Sequence, residues 1–346
     1  MTLLRERPSV PPAAGQARLG LGVVLLLAAV AAVAVLGLAL GSQALPLWEV
    51  LAALRGQEAG DASIIVLEQR LPRTMLGLLV GSALGMGGAV AQSLTRNPLA
   101  DPGLLGVSAG AALAIVVAAF AAGVTTLAPQ LLFAIGGAAA AGTAVLLLGT
   151  RTAVGTTPQG LALVGVAVSA VLISVASTVV LFDAQTLDEY RFWLVGSLAG
   201  RGMSTLTTVA PVIAGGAVLA WIASRALDAV ALGNDTARAL GVRLRRAQLL
   251  AGTAVVVLTG SAVAAAGPIA FIGLAVPHAA RALTGPRTAW LLAYSAALGA
   301  VLLVLADVIG RIVARPNELQ AGVITALIGA PIALALLRRS RSGATV

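Results

Sequence analysis

Residues 19–40 read LGLGVVLLLAAVAAVAVLGLAL, a run of 22 apolar residues and glycines without a charged side chain. As a helix rising 1.5 Å per residue the run extends about 33 Å, enough to cross the roughly 30 Å hydrocarbon core of a bilayer. Arg5, Arg7 and Arg18 precede it, as in a signal peptide, but no small-residue cleavage site followed by a soluble domain comes after it. We predict a retained first membrane span.

The whole chain shares this apolar character. Of its 346 residues, 59% are hydrophobic and 10% are charged, whereas about a quarter of the residues in soluble domains are charged. Glycine contributes 40 residues, and small residues let helices approach one another closely in lipid. The fold class expected is therefore all-α, a polytopic helical bundle with the lipid bilayer as its solvent.

Ten apolar segments of about span length can be drawn along the chain. They are roughly 19–40, 74–94, 103–122, 131–149, 160–182, 204–223, 247–266, 269–283, 289–309 and 319–337. The eighth is short and contains Pro277 and His278. Non-ideal helix of this kind is tolerated at membrane depth only where protein or a water-filled path surrounds it.

Arginine placement predicts the topology. With ten spans and both termini in the cytoplasm, the inner segments hold 15 of the 22 Arg and carry +11, and the outer segments carry −2. Topology thus accounts for the net charge of +9, and no nucleic-acid partner is expected. The predicted organisation is a cytoplasmic tail (1–18), one membrane domain (19–337) and a basic cytoplasmic tail (338–346).

The residues of an energy-converting site are missing. All basic residues are Arg, so the lysine of a phosphate-binding P-loop is absent. One His and no Cys leave no metal-ligand cluster, and no bound cofactor is expected. Asp307, the acid nearest the membrane interior, lies four residues before Arg311, a spacing that favours a helical ion pair over a proton carrier. A transporter driven by another polypeptide is predicted, with an ion-coupled carrier and a membrane-embedded transferase as alternatives.

Several motifs occur in a characteristic order. They are Arg70-Leu71-Pro72-Arg73, RNPLADP at 96–102, GPIAFIGL at 267–274, Asp307 with Arg311, and Gly329-Ala330-Pro331. Together they resemble the FecCD-type permease subunits of binding-protein-dependent ABC importers for iron-siderophore, haem and vitamin B12 complexes. The resemblance extends from about residue 45 to 337.

The resemblance implies a non-enzymatic transporter subunit of the bacterial cytoplasmic membrane. Its partners would be a second permease copy or paralogue, a dimer of cytoplasmic ABC ATPases that bind ATP and Mg²⁺, and an extracytoplasmic substrate-binding protein. Ferric siderophore is the commonest cargo of the family and is expected here before haem or vitamin B12.

The same resemblance assigns the outer arginines. Arg70, Arg73 and Arg311 lie on the predicted outer side, against the positive-inside trend, where the family pairs Arg with Glu of the binding protein. Exposed pairs of this kind are individually weak, but several together set docking register and association rate. Interfacial anchoring or local pairing is the alternative.

The inner segment 224–246 resembles the coupling helices that dock on the ATPase. We predict two short helices broken at Gly233 and Gly241, where glycine permits a sharp turn. The residues assigned to ATPase coupling are Leu232, Gly233, Asp235, Ala239, Gly241 and Val242.

Two further groups of residues are assigned before the third and fifth segments. Arg96, Asn97, Pro98 and Asp101 are predicted to form a structural turn in which Asn97 and Asp101 bond exposed backbone groups. The family's inner gate would fall on Thr156, Thr157 and Gln159, although Pro158 departs from the expected pattern and a helix-capping turn is equally compatible.

Overall fold

A computed structural model describes residues 16–41, 43, 45–57, 60–151, 158–182, 190 and 193–342. Within this part of the chain every regular element is helical. The α-helices are α1 (Gln16–Ala39), α2 (Leu47–Leu54), α3 (Asp61–Ile64), α4 (Leu71–Thr95), α5 (Val107–Ala122), α6 (Leu127–Arg151), α7 (Pro158–Leu181), α8 (Met203–Ala231), α9 (Asn234–Ala239), α10 (Leu244–Ala266), α11 (Ile272–Thr284), α12 (Thr288–Val313) and α13 (Ala321–Ser342). A π-helical stretch (Ile65–Arg70) joins α3 to α4, and Trp193–Val195 form a 3₁₀ turn.

A helix occupies each of the ten predicted segments. Seven helices in the described chain are long and apolar enough to cross a membrane: Arg18–Ala39, Asp61–Thr95, Leu127–Gly149, Gly160–Leu181, Met203–Ala231, Leu244–Ala266 and Thr288–Val313. Val107–Ala122 and Ala321–Ile332 are shorter apolar helices, and α11 has 13 residues. The all-helical class is confirmed, whereas ten crossings with both termini inside stay a prediction. The outer and inner sides of the bundle are those assigned by the charge count.

Helix α4 lies at the centre of the bundle because its glycines admit neighbouring backbones. A Cβ atom on Gly81 would lie 2.3 Å from the carbonyl oxygen of Gly299 in α12. On Gly88 it would lie 2.1 Å from the carbonyl oxygen of Gly273 in α11. Small residues are what allow membrane helices to pack this closely, because lipid provides no hydrophobic drive between them.

A small outer layer formed by α2, α3 and the π-helical stretch packs on the ends of α1 and α4. Val50, Ala53 and Val66 are buried in its own apolar cluster. This layer fixes the backbone that leads into α4, and therefore the position of Arg70 and Arg73 at the outer end.

The inner segment differs from its prediction. Helix α8 continues to Ala231, so the segment contains one separate short helix, α9, rather than two. The continuation follows from side-chain burial, since Leu227 and Val230 lie three residues apart on one helical face and are both buried. The breaks do fall at Gly233 and Gly241, whose φ angles are +109° and +80°.

Candidate functional site

The three outer arginines come together with two acids at one end of the bundle. Arg70 ends the π-helical stretch, Arg73 lies in the first turn of α4, Asp307 and Arg311 lie on α12, and Glu318 follows α12. We call these five residues the outer cluster. Its members meet because α4 and α12 pack along their glycine contacts.

Arg73 is the centre of the ion pairs in this cluster. Its Nη2 lies 2.7 Å from Asp307 Oδ1 and its Nε donates to the same carboxylate, while its Nη1 lies 2.7 Å from Glu318 Oε2. The side chains of Arg73 and Asp307 are 13% and 3% exposed, whereas that of Glu318 is 34% exposed. Glu318 is the partner of Arg73 that solvent reaches.

Arg311 shares the carboxylate of Asp307. Its Nε lies 3.1 Å from Asp307 Oδ2, at ion-pair distance but without the alignment of a hydrogen bond, and its Nη1 donates to the carbonyl oxygen of Gly37 over 3.1 Å. The Nη2 atom is buried and has no hydrogen-bond partner within the described chain. A buried donor without an acceptor costs free energy.

Arg70 is held by backbone carbonyls instead of acids. Its Nη1 donates to the carbonyl oxygens of Leu38 (2.8 Å) and Ala39 (2.9 Å), the last residues of α1, and its Nη2 donates to that of Gln43. A cation at a helix C-terminus satisfies carbonyls left without intrahelical partners and complements the helix dipole. Arg70 thus joins α1 to α4.

The arginines border an outer cavity of about 380 Å³. Its wall includes Arg70, Arg73, Arg311 and Glu318, and also Arg201, which the sequence interpretation missed. Arg201 is half-buried, burial lowers the pKa of its guanidinium, and it has no ion-pair partner among the described residues. The sequence offered one indication of this residue: Arg201 lies on the predicted outer side between Gly200 and Gly202, and glycines on both sides allow the chain to turn there.

The inner segment exposes apolar side chains beyond the last turn of α8. Leu232 and Leu240 are 67% and 63% exposed. Asp235 and Arg238 form an exposed ion pair on α9, and Ala237 holds this helix against its neighbours. Ala239 and Gly241 are exposed and Val242 is half-buried. One exposed leucine thus lies at each end of α9.

The turn between α4 and α5 is built by its own side chains. Arg96 caps α4 in the left-handed region (φ 51°), and Asn97 Oδ1 accepts from the amide of Leu99 over 3.0 Å. Asp101 Oδ1 accepts from the amide of Gly103 over 2.6 Å. Burial raises the pKa of the Asp101 carboxyl to about 6, against backbone hydrogen bonds that lower it.

The gate residues are only partly visible. Thr156 and Thr157 lie outside the described residues, and Gln159 lies in the first turn of α7. The described chain contains no group of three or more His, Asp or Glu side chains placed to hold a metal ion.

Comparison with known proteins gives concordant similarities. Residues 26–339 match the FecCD transport family. The chain is 46% identical over 309 residues to the ferric enterobactin transport system permease protein FepD of Escherichia coli (strain K12), covering 89% of this chain and 92% of that protein. It is 39% identical over 278 residues to the cobalamin import system permease protein BtuC of Halobacterium salinarum (strain ATCC 700922 / JCM 11081 / NRC-1), covering 80% and 74%. A solved inward-facing structure assigned to the metal-chelate type of ABC transporters matches 92% of this chain and 99% of that chain, with a TM-score of 0.77 at 26% identity.

Proposed function

Because this chain belongs to the FecCD transport family, the permease subunits of ABC importers, we propose that it forms the translocation path of an importer for ferric siderophores. It is a multi-pass membrane protein, and the permeases of its family are not enzymes themselves. ATP and Mg²⁺ would bind to a separate ATPase, and the assembly would lie in the bacterial cytoplasmic membrane. A second permease copy or a paralogue would complete the path.

The cargo proposal rests on one observation, the 46% identity over 89% of the chain to a ferric enterobactin permease. The 39% identity to a cobalamin permease makes vitamin B12 the competing cargo. Uptake of labelled ferric enterobactin and labelled cobalamin in a strain deleted for the gene and then complemented separates the two. Restored iron-siderophore uptake is expected, and restoration of cobalamin uptake alone would refute the proposal.

The ATPase is proposed to dock on the inner segment. Exposed Leu232 and Leu240 flank α9, and the positive φ angles at Gly233 and Gly241 set its direction relative to α8 and α10. A groove on the ATPase could cover the two leucines, so that closure of the ATPase dimer moves α9 and the spans attached to it. Because both leucines are already about one-third buried, covering the rest of them would stabilise such a contact by about 2–4 kcal/mol before the costs of association.

The binding protein is proposed to dock on the outer cavity through an acidic side chain. Two observations support this: Arg311 Nη2 lacks a hydrogen-bond partner, and Arg201 lacks an ion-pair partner, among the described residues of the cavity wall. A carboxylate entering the cavity would meet Arg201 directly, and it would reach the buried Nη2 of Arg311 only after that side chain moved. The proposal keeps the docking role of Arg70, Arg73 and Arg311 and adds Arg201.

The charge reversal Arg201→Glu tests this docking with the least risk to folding, because Arg201 makes no ion pair that holds helices together in the described chain. The matched control is Arg55→Glu, an exposed arginine just after α2 and outside the cavity. We expect Arg201→Glu to weaken association with the binding protein about tenfold at low salt, and Arg55→Glu to leave it unchanged. Equal affinities for the two variants would contradict the proposal.

A further inference from the structure

A wedge-shaped cavity of about 520 Å³ opens between α6 and α10 on the inner half of the bundle. On α10 its wall runs from Arg245 through Gly252 to Val256, positions that share one helical face and extend about 16 Å. This length matches one leaflet, half of the roughly 30 Å hydrocarbon core. The two helices close the wedge at its deep end, where a Cβ on Gly260 would lie 3.1 Å from Ile135 Cα.

The long walls of this wedge are mainly apolar and face outward, with Thr143, Gln248 and Thr253 as their uncharged polar members. Leu146 of α6 and Leu249 of α10 are 56% and 61% exposed, and α4, α5 and α7 contribute mainly small or aliphatic side chains to the floor. No Asp or Glu lines it within the described chain. A hydrocarbon chain, not a polar segment, fits such a surface, since any buried backbone amide would find few partners there.

The end of the wedge that reaches the inner surface is cationic. Arg245 lines its mouth, and Arg246 lines an adjoining cleft of about 300 Å³ with Leu249. Both arginines are exposed and form no ion pair with any described acid. The first turn of α10 carries no acidic residue and no side-chain cap, so its amides add positive potential to the same place.

We propose that this wedge is a binding site for an anionic phospholipid of the inner leaflet. One acyl chain would lie along α10 from Leu249 to Val256, and the phosphate would contact Arg245 and Arg246. Basic pockets between membrane helices on the cytoplasmic side are typical sites for anionic headgroups. The proposal depends on neither the cargo nor the binding-protein docking. A lipid there would fix α10 immediately after the inner segment.

Two variants separate the acyl and headgroup halves of the site. Gly252→Leu places a side chain in the wedge at a position where an added Cβ meets no atom within 4 Å, so it obstructs a lipid chain at an uncrowded point of α10. Its matched control is Gly215→Leu, on α8, which is equally open. Arg245→Gln with Arg246→Gln removes the headgroup charges, and the exposed Arg225→Gln on α8 is its control.

The assay is native mass spectrometry of the purified full-length chain, titrated with phosphatidylglycerol or phosphatidylcholine. The wild type and both controls should retain one phosphatidylglycerol in preference to phosphatidylcholine. The arginine pair should weaken that binding about 30-fold, since each arginine near an anionic surface contributes on the order of fivefold. Gly252→Leu should abolish it.

Three results would overturn the proposal. The first is equal retention of the two lipids by the wild type. The second is an arginine double variant that keeps phosphatidylglycerol but no longer copurifies with the ATPase, which would assign the arginines to that partner. The third is a Gly252→Leu variant that keeps the lipid but changes oligomeric state, which would make the wedge a contact between two copies of this chain.

Discussion

Asp307 pairs with both Arg73 and Arg311, and we predict that the protein depends on this carboxylate for its stability. Asp307→Asn preserves the shape of the side chain but removes the negative charge that lies 2.7 Å from Arg73 and 3.1 Å from Arg311. Both guanidiniums then remain in a buried environment and face each other with no charge between them. Glu318→Gln is the matched control, because it neutralises the other acid of the outer cluster.

The burial of each acid determines how much its neutralisation lowers the free energy of unfolding. Breaking a buried ion pair by removing one partner costs about 3–5 kcal/mol, because the remaining charge stays desolvated. The side chain of Asp307 is 3% exposed, so we place Asp307→Asn in that range. Glu318 is 34% exposed and its pair resembles a surface one, which is worth about 0–1 kcal/mol. The two neutralisations should therefore differ by about 3 kcal/mol.

Unfolding free energies measured by titrating SDS into mild-detergent micelles test this difference. A second substitution sharpens the test: Arg311→Met removes one of the two stranded cations, so the variant Asp307→Asn/Arg311→Met should be more stable than Asp307→Asn alone. Such rescue is expected only where the two residues are coupled. Equal costs for Asp307→Asn and Glu318→Gln, or no rescue by Arg311→Met, would refute the reasoning.

Four further predictions follow from single features of the structure. Gly88→Ala places a Cβ 2.1 Å from the carbonyl oxygen of Gly273 and should abolish the monodisperse peak in size-exclusion chromatography, whereas Gly215→Ala, which meets nothing within 4 Å, should not. Burial raises the pKa of the Asp101 carboxyl from its ordinary 3.8 to about 6, so the native state binds the extra proton and wild-type stability should fall by about 2 kcal/mol from pH 4 to pH 7. Asp101→Asn should lack that fall in a pH series of SDS unfolding, and parallel curves would contradict the assignment. Glu318→Gln should tighten binding-protein association severalfold by removing a competing carboxylate from Arg73, and weaker binding would count against the docking proposal. Gly241→Trp, at φ +80°, should leave ATP hydrolysis intact but reduce uptake, and normal uptake would argue against coupling through α9.

Local chemistry made much of the fold predictable. Each apolar run of span length became a helix, because backbone amides in lipid must bond within their own segment. The pair of Asp307 and Arg311 was visible from its i, i+4 spacing, and the structure places the two 3.1 Å apart. The turn of Asn97 and Asp101 was readable in the same way, since short polar side chains bond amides two residues onward.

Contacts between distant segments were not predictable from one sequence. Arg73 pairs with an acid 234 residues away, and Arg70 caps α1 across 31 residues. The positive-inside rule only counts basic residues on each side of the membrane. It therefore cannot predict that the carbonyls of another helix bind an outer arginine. The length of α8 was missed for a similar reason, because Leu227 and Val230 extend the helix through tertiary burial rather than local propensity.

Burial of the outer cluster also constrains how the proposed docking can occur. A partner's carboxylate cannot replace Asp307, because Asp307 and the two arginines that it pairs with are buried. Glu318 differs, because it contacts only Arg73 in the cluster and is one-third exposed. An incoming carboxylate could take its place on Arg73 Nη1 while Asp307 keeps the same guanidinium paired. Docking by exchange at Glu318 would thus leave the junction of α4 and α12 intact, and the gain in binding would come from Arg201, which starts without an ion-pair partner in the described chain.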